Sequence, residues 1–349
     1  MKKGSLLVLL AGLLTVFFCV NLDRVEAQKK AFLAFGGGPT GGTFNYFANA
    51  ISTYLGRNIS NLDISSEGSG GSGENLRRIN SGQIDYGIVY SGDAFLGSQG
   101  KLPQDDKKYQ NVRTVGYLYG APAQLIVRAK DEITSAKQLA GKRVAVGNAG
   151  SGAALSAERF FRHIGIWDEM KPQFLGYSPA ASAFRDGHID AFWVLVGYPN
   201  ASVIEAATQA RISLVDLHAD AQETGFYDKY PFYTKVTIPA ETYRNVDDQV
   251  NTFQDSTFWC VNKDVDEEIV YESVKKIYSP EGLKHMLTAH GAARDMSIEN
   301  GIVGASIPLH PGAYRFWEEQ GWISLMLSNL KSILEENRIQ YLVLLFCAC

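Results

Sequence analysis

The sequence predicts an α/β fold of two similar lobes, each a mostly parallel sheet flanked by helices, joined by two hinge crossings. Three observations lead to this prediction. First, residues 82–92 and 187–197 share one pattern, in which G-x-I-D precedes an apolar strand and a closing glycine. Second, apolar runs of strand length alternate with segments of helical periodicity, which is typical of a parallel sheet. Third, glycine-rich turns at 36–42 and 147–152 each join a strand to a helix.

The elements of the first lobe follow from apolar runs and their spacing. Short apolar runs bounded by glycine or polar residues predict strands at 31–35, 62–66 and 84–90. Apolar residues at helical spacing predict helices at 43–56 and 75–80. A second glycine and serine turn, residues 67–73, precedes the second of these helices. The carboxyl ends of these strands are where a parallel sheet binds ligands.

The second lobe repeats this order. Its predicted strands and helices alternate, with strands at 143–146, 173–177, 189–196 and 212–217 and helices at 153–164, 180–184 and 201–210. Residues 219–256 are rich in Tyr, Asp and Thr and are expected to form a peripheral loop or cover. Helices at 266–278 and 280–290 follow, so the end of the chain is expected to complete the first lobe.

Two segments are predicted to cross between the lobes. Residues 112–129 are apolar throughout and too long for one ordinary strand, so we interpret them as the first crossing. Residues 257–261 are dense enough to be a buried strand and are the expected return crossing. Two such crossings would act as hinges. The resulting boundaries are a first lobe of residues 28–121 plus 257–321 and a second lobe of residues 122–256.

The N-terminus predicts export. Lys2 and Lys3 precede an apolar run from Leu6 to Val20, and a small-x-small cleavage signal ends at Ala27. We therefore expect residues 1–27 to be a signal peptide and the protein to reach the periplasm, with an uncleaved anchor as the alternative.

The C-terminus is unusual. The chain ends in an apolar run, and this run is too short to cross a bilayer. Residues 322–349 are a C-terminal extension. It is either a docking helix or a segment translated from the wrong reading frame.

Composition excludes several classes of function. The net charge is −4 at pH 7, so the chain lacks the excess of positive charge that is typical of nucleic-acid-binding proteins. Outside the predicted signal peptide, Cys260, Cys347 and Cys349 form neither a disulfide framework nor a zinc site. The six histidines have no metal-binding spacing, and no nucleophile elbow is present, so we expect no metal and no catalysis.

One enzyme alternative has a motif behind it. Gly36, Gly38 and Gly41 match the G-x-G-x-x-G fingerprint of dinucleotide-binding folds, and Glu67 follows at a distance suited to a ribose. Export, however, would place the protein where nicotinamide cofactors are scarce. We therefore expect no cofactor, and an absorbance and mass-spectrometry check for nicotinamide would test this.

The glycine turns predict a binding site for a small anion. A helix N-terminus carries unpaired N–H donors and about half a positive charge, and glycine lets a ligand approach the backbone closely. Thr40, Thr43 and Ser151 add hydroxyl groups to these turns, which contain no arginine. Asp85 and Asp190 begin equivalent strands, where we expect them to cap backbone N–H groups rather than contact ligand.

The candidate ligand-binding residues fall into three groups: turn residues, residues just past the strand ends, and aromatic or neighbouring residues that could wall a pocket. They are Gly38, Thr40, Gly41, Gly42, Thr43, Phe44, Ser91, Asp93, Tyr119, Asn148, Ser151, Gly152, Tyr198 and Pro199. Core packing is an alternative role for Phe44. Together these residues predict that two lobes close on one solute, without making or breaking a bond.

Several motifs in combination resemble the TAXI family, the extracytoplasmic solute receptors of TRAP transporters. The likeness covers about residues 31–321 and is carried by residues 38–44, 74–85, 147–152, 186–192, 197–199 and 308–313. It implies a type II periplasmic-binding-protein fold and a monomer that delivers its solute to an ion-gradient-driven TRAP permease. The solute that it implies is glutamate, glutamine or a related dicarboxylate such as 2-oxoglutarate.

Two departures from the family pattern stand out. Phe44 occupies a position where tyrosine is common in the family, and the chain continues past Gly321, where members usually stop. An alternative hypothesis keeps the fold but assigns the receptor to an ATP-driven importer or a sensor kinase. Its ligand would then be an organosulfonate or a similar anion.

Overall fold

The computed structural model describes residues 30–103 and 105–323. In the first part of the chain, strands and helices alternate as the sequence predicts. The elements are β1 (Ala31–Gly36), α1 (Thr43–Asn58), β2 (Leu62–Glu67), α2 (Ser72–Ser81), β3 (Tyr86–Tyr90) and α3 (Ser91–Gln99). The sequence analysis does not predict α3, which is short and carries two glycines. A polar loop then leads to the long strand β4 (Val112–Arg128).

The second part repeats the alternation and then returns. Its elements are β5 (Arg143–Ala145), α4 (Gly152–His163), β6 (Lys171–Gln173), α5 (Tyr177–Arg185), β7 (Ala191–Leu195), α6 (Ala201–Gln209) and β8 (Ile212–Leu214). The returning elements are α7 (Leu217–Glu223), α8 (Phe226–Lys229), β9 (Tyr233–Ile238), β10 (Val250–Asn262), α9 (Glu267–Ile277), α10 (Pro280–Ala289) and α11 (Pro311–Glu319).

All ten strands belong to one sheet of order β2-β1-β3-β10-β4-β7-β5-β6, with β8 on β4 and β9 on β10. In one set, β1 pairs in parallel with β2 and β3, and in the other β5 pairs in parallel with β6 and β7. The antiparallel pair of β10 and β4 separates the two sets. Helices connect the parallel strands in each set, so the predicted α/β fold class is confirmed.

The strand β4 passes from one parallel set to the other. It is a single strand of 17 residues, so the expectation that residues 112–129 are too long for one strand is wrong. Its first part pairs with β10 as far as Pro122, and the part from Ala123 onward pairs with β7. Because each part has a different neighbour, the whole length is hydrogen-bonded. The predicted lobe boundaries fall inside β4 and β10 and stay predictions.

Only part of the segment 219–256 is the peripheral loop or cover that its composition predicts: residues 239–249 are mostly exposed and form neither helix nor strand, whereas the rest is structured. It supplies α8, β9 and the first part of β10, and Phe226, Tyr233 and Phe253 are at most 2% exposed. The Phe253 ring lies 5.1 Å from the ring of Phe160 on α4. Aromatic side chains bury large apolar areas, so this cluster is a part of the core of the second half.

Asp85 and Asp190 play the same structural role in the two parallel sets. Asp85 Oδ2 accepts a hydrogen bond of 2.8 Å from the backbone N–H of Ala34 on β1. Asp190 Oδ2 accepts one of 2.8 Å from the backbone N–H of Arg143 on β5. The prediction that these aspartates cap backbone groups is therefore confirmed, and the repeated G-x-I-D pattern is structural.

Two predictions concern the ends of the chain. The predicted signal peptide, residues 1–27, lies outside the described residues, and so does the C-terminal extension beyond residue 323. Within residues 30–103 and 105–323, every helix is too short or too polar to span a membrane.

Candidate functional site

Four helix N-termini meet at one cavity between the two parallel sets. The helices α1 and α2 follow β1 and β2 of one set, and α4 and α5 follow β5 and β6 of the other. Their first residues or the residues just before them line one cavity, whose space is about 380 Å³ when the part open to solvent is counted. Its interior volume is only about 20 Å³, room for roughly one water, so in this state the cavity is smaller than an organic solute. The halves are therefore closed on each other.

Three of these helices begin without a side-chain cap. The residues at the N-cap of α1, α2 and α5 are Gly42, Gly71 and Gly176, and no side chain bonds to the N–H groups that follow. Among the other helices of the described residues, five have a capping side chain, namely α6, α7, α9, α10 and α11, while α3 and α8 have none. The first N–H groups of a helix lack intrahelical partners, so the cavity collects donors that are left open.

The fourth helix start is different. Ser151 is the N-cap of α4, and its Oγ accepts a hydrogen bond of 3.1 Å from the backbone N–H of Ala154. The Ser151 hydroxyl proton is not used by this bond, so it can still donate toward the cavity. Asn148 lies in the preceding turn and also lines the cavity. It presents both an amide donor and an acceptor.

Thr43 carries the most informative side chain of the site. It is 1% exposed, and its Oγ1 has no well-formed hydrogen bond within the described residues. The hydroxyl of Tyr119 is unsatisfied by the same criterion. Burial raises the pKa of Tyr119 well above its ordinary value, while the neighbouring Thr43 hydroxyl opposes the rise. A buried hydroxyl without a firm partner is costly, so a ligand that reached Thr43 could stabilise it. The feature is not unique to the cavity, because Trp193 Nε1 and Trp259 Nε1 in the core are unsatisfied by the same criterion.

Two tyrosines donate to one backbone oxygen above the cavity, and one of them joins the two halves. Tyr90, at the end of β3, donates its hydroxyl to the backbone oxygen of Leu195 at 2.5 Å. Tyr177, at the start of α5, donates to the same oxygen at 2.9 Å. Burial raises the pKa of Tyr177 to about 12, so its hydroxyl stays protonated at neutral pH. Because Leu195 belongs to β7, the bond from Tyr90 crosses between the two sets.

Glycine makes the close approach of the halves possible. A Cβ atom at Gly73 of α2 would lie 2.6 Å from the backbone oxygen of Gly150 in the opposite turn. A Cβ atom at Gly152 of α4 would lie 2.6 Å from the Cβ atom of Ser72. Real Cβ atoms do not approach other atoms so closely, so these glycines are needed in the closed state.

An ion pair lies behind the cavity wall and also crosses between the halves. Arg159 of α4 donates to Asp93 of α3 at 3.1 Å, and both side chains are almost fully buried. Arg159 also donates to the hydroxyl of Tyr233. Asp255 of β10 accepts a bond of 3.2 Å from the backbone N–H of Gly92. Burial, and then the charge of Asp93, raises the pKa of Asp255 well above its ordinary value.

The structure gathers part of the predicted site. The predicted residues that line the cavity are Gly42, Thr43, Phe44, Asn148, Ser151 and Gly152. Gly38 packs against the side chain of Phe44, and Thr40 is exposed. Gly41 accepts a hydrogen bond of 3.4 Å from the Asn200 side chain.

The residues predicted from strand ends and aromatic character have other surroundings. Ser91 Oγ donates to the backbone oxygen of Gly304 at 2.8 Å, and Asp93 is engaged by Arg159. The Tyr119 ring packs against the rings of Phe44 and Phe47 just behind the cavity. Tyr198 borders a separate groove, and Pro199 is exposed.

Several lining residues were not selected from the sequence. They are Pro39, Gly70, Gly71, Ser72, Tyr90, Ala153, Gly176, Tyr177 and Val196. Gly70 to Ser72 belong to the second glycine turn, which the sequence indicates without ranking its residues. Gly176 was missed because the predicted strand at 173–177 ran over it. The following Pro179 could have indicated a helix start, since proline is favoured in the first helical turn.

Solved structures of solute-binding proteins resemble the chain at low identity. The malate-bound MatC protein of Rhodopseudomonas palustris is 14% identical, with 90% of this chain and 98% of that chain covered and a TM-score of 0.49. The MOPS-bound alkanesulfonate-binding protein SsuA of Xanthomonas axonopodis pv. citri is 15% identical, with 76% and 83% covered and a TM-score of 0.44. A putative L-cystine ABC transporter structure from Listeria monocytogenes is 14% identical, with 73% and 94% covered and a TM-score of 0.45.

The comparison with protein families covers most of the chain. A family profile matches residues 35–321, a span that runs from β1 to just past α11 and contains the whole cavity. On this match, the chain belongs to the NMT1-like family.

Proposed function

We propose that the protein is an extracytoplasmic receptor that closes around a small organic anion and delivers it to a membrane permease. The observation that carries this proposal is the meeting of four helix starts at one buried cavity, three of them uncapped. A helix N-terminus is equivalent to about half a positive charge. Four together attract an anion, and their open N–H groups supply hydrogen bonds to its oxygen atoms.

The same geometry supports a closing mechanism. The helices α1 and α2 belong to one half of the sheet and α4 and α5 to the other, so a solute in the cavity touches both. Only a ligand that contacts both halves can favour their closure, because a shift of an equilibrium requires different affinities for its two states. We propose β4 and β10 as the hinges, with the lobe boundaries at 121/122 and 256/257.

For the transport partner, we propose an ion-gradient-driven permease of the TRAP type and a place for the receptor in the TAXI family. The support is the set of sequence motifs named above, two of which, at 38–44 and 147–152, supply cavity-lining residues. The predicted export signal places the receptor in the periplasm. The alternative is the same fold serving an ATP-driven importer. Uptake that an ionophore abolishes would support the TRAP permease, whereas uptake that persists until ATP is depleted would support the importer.

The binding site is tested by Thr43→Val, which replaces the unpaired hydroxyl with a methyl group of similar size. We expect the melting temperature without solute to stay the same or rise, because no well-formed hydrogen bond is lost. Affinity for the best-binding carboxylate or sulfonate in a thermal-shift panel should fall by about tenfold. Thr53→Val, on the exposed side of the same helix, is the matched control. If Thr43→Val binds as tightly as this control, the assignment of the site is wrong.

A further inference from the structure

The cavity wall contains no charged side chain. Among the described residues, every lining position is a glycine, an apolar or aromatic residue, a proline, or a neutral polar residue. The neutral polar groups are the side chains of Thr43, Ser72, Asn148 and Ser151. Any charge on a ligand must therefore be compensated by backbone N–H groups, by the side chains of Thr43, Asn148 and Ser151, or by water, because Ser72 donates its proton to Asp93.

Two carboxylates lie next to the wall, and both are already engaged. The first, Glu74, accepts a hydrogen bond of 2.8 Å from the backbone N–H of the lining residue Gly70 and lies 3.6 Å from Arg78.

The second is Asp93. A Cβ atom at Gly152 would lie 2.7 Å from Asp93 Oδ2, so Asp93 is directly behind the wall. It is 1% exposed, it accepts from Ser72 Oγ at 2.7 Å, and it pairs with Arg159. The Ser72 hydroxyl also accepts from the backbone N–H of Tyr90 at 3.0 Å. Neither Asp93 nor Ser72 is free to bind a cation.

The carboxylate and the ammonium group of an amino acid would have different interaction energies in this cavity. A carboxylate would receive the open N–H groups of α1, α2 and α5 and the Thr43 hydroxyl. An ammonium group would face the positive ends of four helices, and the carboxylates beside the wall, Glu74 and Asp93, are already held by other partners. A buried charge without a partner is strongly unfavourable, and a cation at a helix N-terminus is unfavourable as well.

We infer that the solute is an organic acid without an ammonium group, such as a 2-oxo or 2-hydroxy acid, rather than an amino acid. The inference rests on the proposed function. The apolar surface of Phe44, Tyr90, Tyr177 and Val196 supplies a wall for the carbon skeleton of such an acid. The unpaired Thr43 hydroxyl and the Asn148 amide supply donors for its oxygen atoms.

The test uses pairs of acids that share a carbon skeleton and differ in the group at C2. The pairs are 2-oxoglutarate with glutamate, 2-hydroxysuccinate with aspartate, and 4-methyl-2-oxopentanoate with leucine, each measured by calorimetry on the mature protein. In the pair that binds, we expect the oxo or hydroxy acid to bind at least about tenfold more tightly. Amino acids that bind as tightly would overturn the inference but leave the proposed function standing. If neither these six acids nor a panel of sulfonates binds, the proposed function fails too.

A variant of the wall sharpens the test. Asn148→Asp places a carboxylate in the cavity, next to the uncapped start of α5, where a negative charge does not oppose folding. We expect the affinity for the oxo acid to fall by at least about fivefold and the preference over its amino acid to narrow. Asn49→Asp, exposed on α1, adds the same charge away from the cavity and should change neither. An unchanged preference in Asn148→Asp would overturn the inference.

Discussion

Closure of the halves can be blocked without altering the ligand site. Gly73 is the second residue of α2 and faces the opposite turn, where an alanine Cβ atom would lie 2.6 Å from the backbone oxygen of Gly150. It would also lie 3.2 Å from Leu155 Cδ1. The backbone oxygen cannot rotate away as a side chain could. Gly73→Ala should therefore oppose the closed state while leaving its own helix intact.

Two terms decide the size of the effect. Alanine is favoured over glycine inside a helix by about 1 kcal/mol, but this gain is the same whether the halves are open or closed, so it leaves the affinity unchanged. In the closed state, one added methyl group in a packed contact is unfavourable by about 1–3 kcal/mol. If only the closed state holds the solute, affinity should fall by about 5- to 150-fold. Calorimetric titration with the best-binding organic acid measures this loss.

The control is the same substitution at a helical position that does not face the opposite half. Gly56 is exposed on α1, and a Cβ atom there would come no closer than 3.9 Å to another residue. Gly56→Ala should raise the melting temperature slightly and leave affinity unchanged. If Gly73→Ala binds the solute as tightly as Gly56→Ala, the closed state is not the state that binds, and the clamp mechanism is refuted.

Two further predictions concern the buried ion pair. Arg159→Met leaves Asp93 without its partner, so the free energy of unfolding in urea should fall by about 3–5 kcal/mol, whereas Lys137→Met at the exposed pair with Glu223 should change it by less than about 1 kcal/mol. Equal losses would contradict this assignment. The second concerns pH, since the pKa of Asp255 is raised in the folded protein. The folded state then holds a proton that the unfolded chain releases above about pH 3.9, so this group's contribution to stability falls as pH rises toward the raised pKa. Asp255→Asn should make the dependence of unfolding free energy on pH shallower, and an unchanged slope would contradict the assignment.

The alternation of strands and helices could be predicted because its signals are local. The helix at 43–56 is visible in the spacing of its apolar residues, and the structure has it at Thr43–Asn58. The aspartates of the two G-x-I-D patterns could be assigned as caps because the pattern itself repeats. The predictions that failed concern residues whose burial depends on partners far away in the sequence. Residues 219–256 look polar along the chain, yet Phe226 and Phe253 within them pack on rings of α4 and β7 and are buried there.

The candidate site could be predicted as far as its turns. The turns at 36–42 and 147–152 supply lining residues because a glycine turn before a helix is a local feature with a direct physical consequence. Asp93 shows where this reasoning stops. Its position after β3 suggested ligand contact, but its partner Arg159 lies 66 residues away in sequence. No local pattern indicates such a pair, because it forms only when the two halves meet.

The glycines at the helix starts are not all required by the backbone. Gly71 has a φ of 105° and needs glycine, whereas Gly42 has φ −87° and ψ 148°, an ordinary N-cap conformation for any residue. A capping side chain at position 42 would stabilise the helix by about 1 kcal/mol. With glycine at this position, the protein lacks that stabilisation. The physical reason that we infer is that a capping oxygen would occupy the N–H groups that the solute needs.

This reasoning gives a prediction in which stability and binding move in opposite directions. Gly42→Asp supplies a cap for α1, and its Cβ atom would lie 3.1 Å from the backbone oxygen of Pro39, a tight contact that offsets part of the gain. The melting temperature without solute should therefore stay the same or rise. Affinity for the anion should fall by at least about tenfold, because the aspartate competes for the same donors with the same charge. Tight binding by a stable Gly42→Asp protein would show that the donors of α1 are not what holds the solute.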